Sequence, residues 1–315
     1  MDIYERIRNT GIIPIVTVKN EESALMIANG LNDGGLSCAE FTFRTDAAEA
    51  AILSVTKQLP NMLIGAGTVL TPEQVDRAID AGAKFMVSPG INADIVEYCM
   101  KKNVPIFPGV STASDIDLAS RLGLEVVKFF PSETTGGLPN IKALAAPFPK
   151  MMFIPTGGIN IKNLANYLSF NKVFACGGSW MTGSDMSYDD VKESARKAIE
   201  VMLGFEFAHI GINEKTDEEA DTLAKLFCNA FSLEYIMKVP SIFAGTPIEV
   251  MKHGGLGRNG HLGFSTNDVE RAIFHLEARG FTFDAKTARI NENNHRTFIY
   301  FSEEFGGFAV HIVER

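Results

Sequence analysis

A glutamate and a lysine stand inside apolar, β-forming runs in the first part of this chain: Glu40 in AEFTF (39–43) and Lys128 in VVKFFP (126–131). Strand alternation puts Glu40, Thr42 and Arg44 on one face and Phe41 and Phe43 on the other. If the phenylalanines meet a covering layer, the opposite face carries a carboxylate, a hydroxyl and a guanidinium. Those groups cost free energy to bury unless they serve one another or a ligand. An inward Lys128 sits in a low-dielectric site, which favours the free amine that condenses with a ketone to give a Schiff base. On the residues alone two plainer readings stay open: an internal Glu40–Arg44 ion pair, and a Lys128 at the strand end that reaches water. Two glycine pairs, in Thr156-Gly157-Gly158 and Gly177-Gly178-Ser179, follow later apolar runs. Glycines there either bring backbone N–H groups to an anion such as phosphate or make tight turns and nothing more.

The six histidines (His209, His253, His261, His275, His295 and His311) all lie after residue 204. Chemistry before that point must come from carboxylates, Lys, Tyr, Cys or Ser/Thr, and any histidine-rich metal site belongs to the tail. There FEFAHIGIN (205–213) reads as a strand, and Thr216-Asp217-Glu218-Glu219 as a capping box that opens a helix. GHLGFST (260–266) repeats the strand, Asn267 with Glu270 repeats the capped start, and GGLGRNG (254–260) joins the copies. His209 and His261 fall at matching points of the repeat. Each copy closes on a strand with a further candidate ligand, Glu249 in IEVMK (248–252) and His311 in FAVHIVE (308–314). Three imidazoles and a carboxylate suit Zn²⁺, Ni²⁺, Co²⁺ or Fe²⁺, with positions left open for a substrate. Histidines in half-buried strands also serve as hydrogen-bonded structural residues. His253, His275 and His295 break the register and read as surface or packing residues.

These side chains need a scaffold, and the runs supply one. Apolar stretches at 12–18, 39–43, 62–68, 85–89, 105–110, 126–131, 152–158 and 173–179 alternate with helix-like segments, several opening on an N-cap such as Thr71 before Pro72, Asn92 or Thr112. Strands alternating with helices at roughly 20–25 residues per unit predict an α/β fold, a (β/α)₈ barrel over 1–203, with a paired βαβββ-type α+β domain over 204–315. An open doubly wound sheet fits less well, because no G-x-G-x-x-G follows the first strand. The 315 residues, 46% hydrophobic and 21% charged, are enough for a large core. A net charge of −9 disfavours nucleic acid and anionic membranes as partners, and no apolar run approaches the ~18 residues of a membrane span. Cys38, Cys99, Cys176 and Cys228 are widely spaced and read as buried thiols. A cytoplasmic location with a small-molecule partner is expected.

Taken together and in order, CAEFTFRT, GAGTVLTPEQ, SPG, PIFPGVST, VKFFPSE, PTGGIN and GGSW resemble the 2-keto-3-deoxy-6-phosphogluconate / 4-hydroxy-2-oxoglutarate aldolase family over about 1–203. The resemblance implies a class I aldolase that needs no cofactor and is usually a homotrimer. It implies Lys128 as the Schiff-base lysine, Glu40 as general acid/base, and Arg44 and Thr68 as holders of the pyruvyl carboxylate. Pro89 and Phe130 would line the pocket, Gly157, Gly158, Gly178 and Ser179 would meet the phosphate, and Thr156 would tilt substrate choice toward the gluconate epimer. The tail, about 205–315, resembles the vicinal oxygen chelate superfamily, which includes glyoxalase I. The resemblance aligns His209, Glu249, His261 and His311 with that family's ligand positions, the last commonly a glutamate. Other readings left open are a tail that only binds a ligand or drives oligomerisation, and a barrel that isomerises or epimerises a phosphosugar.

Overall fold

The short apolar runs of the first two hundred residues become parallel strands: β1 (Ile12–Val16), β2 (Cys38–Thr42), β3 (Leu63–Gly67), β4 (Phe85–Val87), β5 (Ile106–Phe107), β6 (Gly109–Val110), β7 (Val126–Phe129), β8 (Met152–Pro155) and β9 (Cys176–Gly178). β5 and β6 are one run interrupted at Pro108, which has no N–H to give to a ladder; its carbonyl still accepts from Lys128 N–H at 3.0 Å. The strands pair in the order β5-β4-β3-β2-β1-β9 and β6-β7-β8. Parallel bridges Phe153–Val173 and Thr156–Gly177 connect β8 to the β9 segment. This is a parallel, TIM-like α/β arrangement, seen here in a computed structural model that describes residues 1–315.

A helix follows each strand except β5, which continues into β6, and the sequence sets where several begin. Thr71 caps Pro72–Asp80, with the proline in the first turn, Asn92 caps Ala93–Lys101, and Thr112 with Asp115 forms a capping box on Ala113–Arg121. Part of the core is a cluster that includes Ile13, Cys38, Leu63, Phe85, Phe107, Val126 and Ile154. At roughly 1.5–3 kcal/mol per buried large side chain, this packing, far more than the caps, fixes the strands that present the polar residues.

The second compact unit, Leu203–Arg315, is separate from the first, Met1–Met202. It contains β10 (Glu206–Asn213), a helix Asp217–Phe231, β11 (Tyr235–Met237), β12 (Ser241–Ala244) and β13 (Ile248–Met251). Then come β14 (His261–Thr266), a helix Val269–Glu277, β15 (Phe283–Ile290), β16 (Arg296–Phe301) and β17 (Ala309–Glu314). The eight strands form one mixed sheet, β11-β12-β13-β10-β14-β17-β16-β15. β10 and β14 meet antiparallel at its centre, and each pairs in parallel with the closing strand of its own copy. Two expectations are corrected. The second helix is capped by Asp268, whose carboxylate accepts from Arg271 N–H at 2.9 Å, while the Asn267 N–H donates to the Leu203 carbonyl. Cys228 is only half-buried, unlike the other three cysteines. No helix is long and apolar enough to cross a membrane.

Candidate functional site

In the first unit the candidate site residues lie at the middle of a strand, in its C-terminal half or just beyond it, toward the end at which TIM-barrel enzymes do chemistry. Glu40 is in β2 between Ile15 of β1 and Gly65 of β3, and Lys128 is in β7 between Gly109 and Ile154. Their side chains are almost wholly buried (3% and 8% exposed), and Lys128 Nζ lies 3.4 Å from Glu40 Oε1. That replaces the Glu40–Arg44 pairing: Arg44 is exposed at the strand end, and its Nε donates to Thr68 Oγ1 at 3.3 Å. Thr68 holds a left-handed φ of 56°, a conformation that costs a non-glycine residue about 1–3 kcal/mol and is found at ligand sites.

The ring of Phe130 lies under the Lys128 ammonium, 5.2 Å from Nζ to the centroid. Pro89 follows β4, half-buried. Thr156 is buried after β8, and Gly157 and Gly158 continue from it; the carbonyls of Thr156 and Gly157 accept from the backbone N–H groups of Ser132 and Glu133, tying this turn to the one after β7. Gly178 ends β9 and Ser179 is exposed beyond it. Two further residues complete the surroundings. Gly67 stands in the GAGT motif without a role assigned from the sequence, yet a Cβ there would lie 2.1 Å from Glu40 Oε1, so only glycine leaves the carboxylate its place. Thr42 Oγ1 meets Thr17 Oγ1 at 2.8 Å, which satisfies the polar face of β2 beside Glu40.

The buried lysine–carboxylate pair at the strand ends is an arrangement for adding an amine to a carbonyl and moving protons around it. The family model for KDPG and KHG aldolase matches residues 3–197. The chain belongs to that family. It is a class I aldolase, and among its relatives is the 2-dehydro-3-deoxy-phosphogluconate aldolase of Treponema pallidum, 46% identical over 179 residues, 57% of this chain and 85% of that protein. The structure of the 2-keto-3-deoxy-6-phosphogluconate aldolase of Zymomonas mobilis with 3-phosphoglycerate superposes with a TM-score of 0.60 at 35% identity, covering 62% of this aldolase and 94% of the other chain. The KDPG aldolase of Legionella pneumophila, solved with pyruvate captured as a covalent carbinolamine intermediate, gives 0.60 at 34% identity, covering 62% and 98%.

In the second unit of this aldolase the four singled-out residues converge. His209 Nε2 lies 3.2 Å from both His261 Nε2 and His311 Nε2 and 3.3 Å from Glu249 Oε2, which is 3.1 Å from His261 Nε2. One ring nitrogen cannot satisfy three such partners by hydrogen bonding. The three imidazoles offer donor atoms all within 4.8 Å of one another, close enough for one cation to meet them, and Glu249 adjoins two of them. The protonation states suit a cation too. Burial, then the neighbouring His209 and His261, push His311 down to about 3. Burial also lowers His209, despite the opposing pull of Glu249. Burial works against the Glu249 carboxylate, but hydrogen bonds from His261 and Ser241 hold it below its ordinary value. The result is two neutral imidazoles and an ionised carboxylate facing His261.

Gly211 and Gly263 are what the sequence reading missed here. A Cβ at Gly211 would meet the His261 ring at 1.9 Å, and one at Gly263 the His209 ring at 2.6 Å. The signal was present as His-x-Gly in both copies, His209-Ile210-Gly211 and His261-Leu262-Gly263, each glycine pairing with the other copy's histidine. The remaining histidines have other work. His253 is exposed beside Asp217, and His275 is buried in its helix. His295 donates to Glu314 at 2.6 Å; with Asp268 these two form a second acidic cluster, but Glu314 also accepts from the Val269 N–H and Asp268 caps its helix, so the cluster is satisfied within the protein.

Proposed function

We propose that the first unit, a closed (β/α)₈ barrel, cleaves 2-keto-3-deoxy-6-phosphogluconate to pyruvate and glyceraldehyde 3-phosphate, and 4-hydroxy-2-oxoglutarate to pyruvate and glyoxylate. The observation that carries this reading is the buried Lys128–Glu40 contact of 3.4 Å. As substrate enters, Glu40 accepts a proton from the ammonium, and the freed Nζ adds to the C2 carbonyl to give a carbinolamine. Glu40 returns that proton to the carbinolamine hydroxyl, which leaves as water; this gives a protonated imine, an electron sink next to the C3–C4 bond, and restores the carboxylate. Glu40 then takes the C4 hydroxyl proton as that bond breaks and the aldehyde departs. The enamine is reprotonated at C3, and water hydrolyses the imine to release pyruvate and the amine. The covalent pyruvate adduct of the Legionella pneumophila relative supports this order of events.

In this reading Arg44, steadied by Thr68, binds the substrate carboxylate, and Pro89 and Phe130 bracket the ketone. Thr156 contacts the sugar-acid chain, while Gly157, Gly158, Gly178 and Ser179 receive the phosphate. Direct assay of pyruvate release from both substrates tests it: Lys128→Met should release none from either, and turnover by that variant would refute the role of the lysine. The homotrimer implied by the resemblance would sediment at three times the 34.3 kDa chain mass.

For the second unit we propose a vicinal oxygen chelate domain in which His209, Glu249, His261 and His311 hold one divalent metal. Two βαβββ copies, three imidazoles with donor atoms within 4.8 Å of one another, and Glu249 beside His209 and His261 support it. A bound Zn²⁺, Ni²⁺, Co²⁺ or Fe²⁺ would supply Lewis acidity. Elemental analysis of the purified full chain tests the assignment: about one metal per chain is expected, lost in His261→Ala, and a metal-free parent that binds none on addition would refute it.

A further inference from the structure

The glutamate of VKFFPSE, Glu133, has no part in the imine chemistry, yet it closes a polar network beside the second glycine of PTGGIN. Its Oε1 accepts a hydrogen bond from the hydroxyl of Tyr167, on the helix Leu164–Leu168, and that hydroxyl also meets Ser132 Oγ at 3.1 Å. Tyr167 and Ser132 are 1% and 0% exposed, whereas Glu133 itself reaches the surface. Burial, then the bond to Glu133, pushes the tyrosine up to about 12, so its hydroxyl stays a donor. The stem of Glu133 lies against the turn after β8. A Cβ at Gly158 would stand 2.4 Å from Glu133 Cγ, and one at Gly137 would stand 3.0 Å from the Tyr167 hydroxyl and 3.1 Å from Glu133 Oε1. The carbonyls of the turn are all engaged: those of Thr156 and Gly157 accept from the N–H groups of Ser132 and Glu133 at 2.7 and 3.0 Å, and that of Gly158 accepts from Asn160 Nδ2 and Asn163 Nδ2 at 3.0 and 3.1 Å. The N–H groups of Gly157, Gly158 and Ile159 have no acceptor within the protein, and both glycines hold a positive φ, 94° and 83°. Successive N–H groups in such a turn make a cradle for an anion. A carboxylate at the border of that cradle repels a phosphate unless something holds it off.

Resting on the reading of this turn as the seat of the substrate phosphate, we propose that Tyr167 is a positioning residue for phosphorylated substrates: it draws the Glu133 carboxylate down onto a buried hydroxyl, so that the glutamate braces the Gly157–Gly158 turn with its stem and keeps its charge off the phosphate. Released from Tyr167, the same carboxylate is free to move over the exposed side of the turn and oppose the incoming anion. The pair therefore acts on the binding of the phosphate and leaves imine formation at Lys128 untouched. A purely structural tie between the helix Leu164–Leu168 and the turn after β7 would instead weaken every ligand of the barrel alike.

The test compares the full chain with Tyr167→Phe, Glu133→Gln and the double variant. Two readings are taken: steady-state cleavage of 2-keto-3-deoxy-6-phosphogluconate and, as the phosphate-free control, the pyruvate concentration that half-saturates borohydride trapping at Lys128. Tyr167→Phe should raise KM for the phosphorylated substrate about tenfold or more, with kcat near the parent's and the pyruvate value unmoved. Glu133→Gln, uncharged and still able to accept from Tyr167, should bind the phosphorylated substrate at least as tightly as the parent. Combined with Tyr167→Phe it should restore most of the lost affinity, because the opposing charge is gone. An unmoved KM in Tyr167→Phe, an equal loss for pyruvate, or a double variant as weak as Tyr167→Phe alone would each overturn the inference while leaving the cleavage reading standing. A parent chain that traps pyruvate but does not cleave the phosphorylated substrate would overturn the phosphate reading and the inference together.

Discussion

Lys128 and Glu40 come together from positions 88 residues apart, and their contact explains why two charged groups tolerate burial. Removing one partner leaves the other uncompensated, so the two substitutions differ in chemistry more than in their effect on folding. Glu40→Gln keeps a hydrogen-bonding side chain of the same shape but cannot take protons. It should still form some imine with pyruvate while turnover falls by about 10²–10⁴; steady-state cleavage rates check this, and near-parental turnover would remove Glu40 from the proton path. Gly67→Ala should act the same way more weakly, by pushing the carboxylate aside. The lysine and the glutamate were legible in the sequence because a charge inside an apolar run needs a reason. Gly67 was not, because the carboxylate that fills the space beside it comes from another strand.

The strands and helices that carry these residues were mostly legible, with boundaries moved by a few residues. β11 and β15 left weak marks, one being only three residues long and the other reading FDAKTARI. Both are sheet edges, where charged side chains meet water and the apolar alternation of an inner strand is absent. The helix starts were read from caps, and these make a prediction. In the box before Ala113–Arg121, burial opposes the charge on Asp115, but hydrogen bonds from the Ser111 and Thr112 N–H groups and the Thr112 hydroxyl outweigh it and hold the carboxyl below its usual 3.8. A carboxyl lowered by folding adds stability above its unfolded value and loses that contribution as the pH falls through the folded one. Thr112→Ala should therefore cost about 1 kcal/mol at neutral pH. Urea midpoints for Asp115→Asn should lie below the parent's at pH 7 and converge with it in acid; a gap that persists below the folded value would contradict the capping role.

At the scale of the whole molecule, one compact unit is a class I aldolase and the other, in the reading proposed above, holds a divalent metal. The imine route needs no metal, whereas the converging imidazoles of the tail suit one. Dialysis against a chelator should leave aldol cleavage unchanged and lower the thermal transition of the tail alone. Readdition of metal at 100 times its dissociation constant should restore about 2.7 kcal/mol, and calorimetry with and without chelator reads both effects. Loss of cleavage on chelation would contradict the assignment of the barrel. The two strand–helix–strands copies of the tail were legible because the sequence repeats.

The central claim is a covalent bond between Lys128 Nζ and the C2 carbon of a keto acid. Incubating the full chain with pyruvate and sodium borohydride, then mapping peptides by mass spectrometry, tests it without any assumption about the tail. One reduced pyruvyl adduct per chain, on the peptide containing Lys128 and absent from Lys128→Met, is the expected result. An unmodified Lys128, or an adduct on another lysine that survives Lys128→Met, would contradict it.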